Sequence, residues 1–71
     1  MSNKSQNNRG RVKFFNEAKG FGFITDDHSG DDVFVHATNI EKGLKLREGD
    51  TVLYNIGEGK KGPIANDVTR P

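Results

Sequence analysis

Three phenylalanines lie where the alternation of a β-strand decides what surrounds them. Successive side chains point to opposite faces of a strand. In Phe21-Gly22-Phe23-Ile24-Thr25-Asp26-Asp27, both rings therefore share a face with Thr25 and Asp27, while Gly22 and Ile24 take the other. In Val33-Phe34-Val35-His36 the valines form the natural core face, which turns Phe34 outward beside His36. Rings left in water are a solubility hazard, so three on one face imply a ligand that stacks on them. The opposite reading makes all five phenylalanines core. It must then bury His36 with Phe34, expose two valines and fit five rings into a 71-residue chain. The run Arg11–Asn16 leaves two placements open. Strict alternation buries Val12 with Phe14 and exposes Lys13 with Phe15, and the two adjacent rings lie on opposite faces unless the strand bulges or twists there.

Other constellations fail as chemistry. Asp26-Asp27-His28 with Asp31-Asp32 offers metal-ligand types, but lacks the spacing and distal glutamate of a calcium loop, and is read as a solvated hairpin turn. His36 has no nucleophile in a recognisable motif nearby. The glycines from Gly57 to Gly62 suggest a phosphate loop, yet Pro63 stands where that loop needs lysine. No enzyme, metal or cofactor is expected. Lys60-Lys61 offers cations for phosphate, Lys61 above all.

The elements that must hold these residues are short. β-like runs at Arg11–Asn16, Phe21–Thr25, Val33–His36, Thr51–Ile56 and Ile64–Thr69 are separated by Gly-, Asp- and Pro-containing turns, one of them spanning 57–63. A longer irregular stretch, Ala37 to Asp50, has Ile40, Leu44 and Leu46 as anchors. Five strands and one long crossing loop match an all-β, small antiparallel OB-type barrel. Residues 1–8 are polar and aperiodic and are read as a flexible tail, with the domain over 9–71. Only 31% of the residues are hydrophobic and none is cysteine, so a compact core must fold without disulfide or thiolate-metal staples. No apolar run approaches a membrane span of ~20 residues, and the polar N-terminus does not resemble a secretory signal. A cytoplasmic, monomeric binding module is expected, with no membrane or small-molecule partner. The formal net charge of +1 hides a basic N-terminal third, with five basic residues against one acidic up to Thr25, and an acidic middle. That asymmetry suits a surface touching phosphates.

Lys19-Gly20-Phe21-Gly22-Phe23-Ile24 followed by Val33-Phe34-Val35-His36 resembles the paired ribonucleoprotein motifs of the cold shock domain. Gly10-Arg11-Val12-Lys13-Phe14-Phe15-Asn16 is similar to that family's opening strand, and Glu58 to Pro63 with Ala65, Asn66 and Val68 to its last hairpin. The resemblance runs from Gly10 to Thr69. It implies a barrel that binds single-stranded RNA or DNA through Lys13, Phe14, Lys19, Phe21, Phe23, Phe34, His36 and Lys61, as an RNA chaperone or a regulator of transcription or translation in a stress response. There are departures. Phe14 stands where many bacterial members have tryptophan, Ala37 and Leu44 where phenylalanines are frequent, and Ile64 where glutamine is common. The threonine in Ala37-Thr38 also resembles the Y-box relatives. A protein-interaction barrel using the same aromatic patch is the competing expectation.

Overall fold

A computed structural model of the chain describes residues 8–60 and 62–71. The segment 1–7 of the expected tail and Lys61 lie outside the described residues, while Asn8 already opens a strand. Five strands form in chain order: β1 (Asn8–Asn16), β2 (Phe21–Asp26), β3 (Asp32–His36), β4 (Thr51–Gly59) and β5 (Gly62–Thr69). They close into a barrel in the order β1-β2-β3-β5-β4. All seams are antiparallel except β3–β5, where Phe34 lies opposite Ile64 and Val35 opposite Ala65 in parallel register. The expected all-β, OB-type barrel is thus present, and its closing seam runs parallel.

The core is aliphatic and small. Val12, Ile24, Val33, Val35, Val52 and Val68 are buried with Ala65, Leu46 and a single aromatic, Tyr54. Along β2, β3 and β4 these positions alternate with outward residues, which is how a sequence so poor in apolar residues can still fill its interior. On β5 an irregularity at Asp67 sets the inward Ala65 and Val68 three residues apart. The crossing stretch between β3 and β4 begins with one 3-10 turn, Ala37–Asn39. It then lays Leu46 into the core and packs Ile40 and Leu44 against it, as those anchors were expected to do.

The β4–β5 hairpin departs from the expected turn over 57–63. Its strands run on to Gly59 and resume at Gly62. Gly57 and Gly59 are covered by neighbouring side chains: a Cβ at Gly59 would lie 2.8 Å from Ile64 Cγ2, and one at Gly57 would collide with the Asn66 amide. Here glycine marks close side-chain cover within a ladder rather than a reversal of the chain.

Candidate nucleic-acid interface

The placement of Phe14 and Phe15 is settled by a bulge. Val12 pairs with Ile24 and Phe14 with Phe23, so Lys13 is the extra residue on β1. A bulge shifts the inward–outward alternation by one position. Lys13 and Phe14 consequently both point outward, with Phe14 42% exposed, while Phe15 turns in against the core.

The outward rings form one connected group. Register places Phe14 beside Phe23, Phe23 beside Phe34, and Phe21 beside His36. Ring centroids are 5.6 Å apart for Phe14–Phe23, 5.7 Å for Phe23–Phe34 and 5.7 Å for Phe21–Phe34. The first pair is tilted, the second edge-on, and the third nearly parallel at 28°. These are ordinary aromatic-pair geometries, so the rings shield one another at their edges while parts of their faces stay open. Gly22, between two of them, points inward. A Cβ there would lie 2.7 Å from Phe15 Cα and would also collide with the Phe14 carbonyl oxygen. Its lack of a side chain serves the approach of β1 to β2.

Polar groups surround the rings. Lys13 Nζ donates to Asp32 Oδ2 at 2.9 Å, and Thr25 Oγ1 donates to Asp32 Oδ1 at 3.2 Å. The Lys13 ammonium holds the Asp32 carboxyl below its usual range. His36 Nδ1 accepts from the Thr38 backbone N–H at 3.2 Å and lies 3.0 Å from Thr38 Oγ1. That acceptor role places the neutral ring's proton on Nε2, the nitrogen left available to a ligand. Lys19 sits in the turn before β2, its backbone N–H donating to Asn16 Oδ1 at 3.0 Å and its side chain exposed.

The sequence points to Lys60 and Ile64 singly, but not to the wall they build beside the rings. Phe23, Phe34 and Asp32 line a groove of about 590 Å³ together with Lys60, Gly62, Pro63 and Ile64. The parallel β3–β5 seam brings Ile64 beside Phe34, and alternation within single strands carries no signal for such a pairing. Of the eight expected contact residues, Lys13, Phe14, Phe21, Phe23, Phe34 and His36 share the β1–β2–β3 face. Lys19 lies at its end, and Lys61 is outside the described residues.

The acidic turn after β2 is solvated apart from Asp26, which is buried at 2% exposure. Its carboxylate accepts from the Tyr54 hydroxyl, from Ser29 N–H at 3.0 Å, from His28 N–H at 3.1 Å and from Ser29 Oγ at 3.3 Å. Burial alone would raise its pKa, but these bonds to the charged form outweigh burial and hold it below the usual range. Burial, reinforced by the Asp26 charge, pushes the Tyr54 phenol well above its usual value. Among the described residues no group of three or more His, Cys, Asp or Glu is placed to hold a metal ion, and no helix is long and apolar enough to cross a membrane.

Comparison with known proteins agrees with this geometry. The 'Cold-shock' DNA-binding domain model matches residues 8–71. The chain is 54% identical over 67 residues to the cold shock-like protein CspA of Vibrio cholerae, covering 92% of this chain and 96% of that one. It is 52% identical over 63 residues to the cold shock-like protein CspC of Escherichia coli K12, covering 86% and 91%. Among solved structures, drosophila Unr CSD456 superposes with a TM-score of 0.75 at 18% identity. That match covers 99% of this chain but only 28% of the longer one, and it bears on the fold alone. The chain belongs to the cold-shock domain family, a family of nucleic-acid-binding proteins rather than enzymes.

Proposed function

We propose that this protein binds single-stranded RNA and DNA on the outer face of β1, β2 and β3, as a monomeric cytoplasmic RNA chaperone or regulator of transcription or translation. The observation that carries this reading is the connected group of four outward rings, Phe14, Phe23, Phe34 and Phe21, on one barrel face. Bases stack on such rings at about 1–3 kcal/mol each and with little regard to sequence, because every base has a π-face. A duplex hides those faces within its own stack, so the surface selects unpaired strands and holds transiently melted RNA open. No ATP is needed, since trapping alone shifts the pairing equilibrium. Lys13, Lys19 and Lys61 supply charge for phosphates, and His36 Nε2–H supplies a donor for a base edge or phosphate.

The test is an anisotropy titration with labelled pyrimidine-rich single strands of about 4–16 nucleotides, the range for one OB fold, against the matching duplex. A labelled strand is required because the chain has no tryptophan and its one tyrosine is buried inside the barrel. Single strands bind, duplex binds far less, and log affinity falls with log salt by about 0.7 per phosphate neutralised. Equal binding to duplex contradicts the reading. A flat salt response favours a protein partner on the same patch instead.

A further inference from the structure

The bulge at Lys13 has an effect beyond the rings. On its N-terminal side, β1 alternates Gly10 and Val12 inward with Arg9, Arg11 and Lys13 outward. On its C-terminal side the outward series continues with Phe14. Under strict alternation through Lys13, Phe14 would face the side opposite the three cations; the bulge keeps it on theirs. With it, a basic row runs directly into the aromatic group on one continuous surface.

Lys13 is engaged with Asp32. Arg9 and Arg11 are not: both side chains are exposed, and neither guanidinium has a hydrogen bond or ion pair among the described residues. The carboxylates around them are mostly occupied. Asp26 is turned into the barrel, Asp32 accepts from Lys13 and Thr25, and Asp50 accepts from Arg70 Nη2 at 3.3 Å. Asp27 meets Arg9 across the strand pair through a backbone bond from its N–H to the Arg9 carbonyl, without forming an ion pair. Arg11 lies between Thr25 on β2 and Thr51 on β4, two neutral neighbours that offer it no counter-charge. Alternate residues of a strand are about 6.8 Å apart at about 3.4 Å per residue, an interval close to that of phosphates along an extended, unstacked strand.

We infer that Arg9 and Arg11 form a phosphate rail that continues the nucleic-acid track from Phe14 along β1, gripping two further phosphates of a strand long enough to pass the rings. This rests on the proposed single-strand function of the ring face and adds the direction in which the strand leaves it. Arginine suits the task, since its planar fork stays charged and can bond phosphate oxygens bidentately.

The experiment compares the full chain with the Arg9→Gln/Arg11→Gln double variant, using labelled oligo-dT of about 4 and about 12 nucleotides across a salt series, within the range for one OB fold. Thermal melts check that both proteins are folded. For the original chain, affinity and salt slope rise from the short to the long strand. In the double variant the long-strand slope falls by about 1.4, at about 0.7 per phosphate, and most of the gain with length disappears. An undiminished gain in the double variant overturns the rail. So does an equal loss on both lengths, which is the mark of a general change in surface potential. Failure of the original chain to bind either strand overturns the single-strand function itself, an outcome distinct from both.

Discussion

Two regions of this barrel invert the usual partition of side chains, and they do so for different reasons. On the β1–β2–β3 face, four phenylalanines stand toward water while the interior is filled mainly by valines and isoleucine. At the opposite end of β2, a carboxylate sits inside the barrel. The buried charge is complete in itself, since Asp26 has four donors and no buried side-chain polar atom of the described residues lacks a partner. The rings are incomplete: they touch one another and leave faces open. A satisfied inversion fixes the β2–β3 turn to β4, whereas an unsatisfied one marks a place for a ligand. Substitutions around Asp26 should therefore move stability, and those among the outward rings should move binding.

The largest effect is expected beneath the ring face, at the inward-pointing Gly22. A methyl group added at this position would strike the β1 backbone, which no rotamer change can relieve. Gly22→Ala should cost more than about 4 kcal/mol, most of the stability of so small a domain, and its circular dichroism melt should lose cooperativity. A variant melting like the original would show that β1 and β2 can separate freely at the bulge.

Next comes the interior pair. Asp26→Ala leaves the buried Tyr54 hydroxyl without its acceptor and should cost about 3 kcal/mol in urea denaturation, while Tyr54→Phe should cost about 1 kcal/mol because Asp26 keeps its turn donors. Neither should weaken oligonucleotide binding. The pair also sets a pH window. The depressed Asp26 pKa means its stabilisation is complete above the unfolded carboxyl value of about 3.9 and is lost as pH falls through the folded value. Tyr54 is raised, so its contribution is complete below about 10, the unfolded phenol value, and declines as pH rises beyond it. Urea midpoints followed across pH should fall at both ends, and Tyr54→Phe should abolish the alkaline fall. An alkaline fall undiminished in that variant would remove Tyr54 as its cause.

The smallest effect concerns the end of the ring track. Ala37 follows His36 and is exposed, with no ring in its place. Ala37→Phe should tighten binding to a long oligo-dT by about 1 kcal/mol, the lower end for one stacked base, because the new ring must also be ordered. The same titration with a strand too short to reach position 37 should show no gain. Unchanged affinity on the long strand would end the track at His36.

How far these regions were legible in the sequence follows from what alternation can carry. Phe21, Phe23 and Phe34 declare their outward face because Ile24, Val33 and Val35 occupy the inward positions between them. Phe14 and Phe15 do not, since the extra residue at Lys13 breaks the period without any Gly or Pro to announce it. The groove wall of Lys60, Pro63 and Ile64 depends on a parallel seam between strands far apart in the chain. Asp26 was concealed for another reason. An aspartate beside Asp27, His28, Ser29 and Gly30 has turn composition, and only the placement of Tyr54 behind it takes the carboxylate inside.

The central claim, that the outward rings are a binding surface and not a displaced core, is tested most directly at Phe34, the ring that contacts both Phe21 and Phe23. Phe34→Ala should be examined by thermal melt and by oligo-dT titration on the same preparation. The expected result is a folded barrel with a cooperative melt and a binding loss of about 1–3 kcal/mol, the worth of one stacked base. A stability loss of about 3–5 kcal/mol, the cost of deleting a core phenylalanine, with unchanged affinity in the fraction that remains folded, would contradict it.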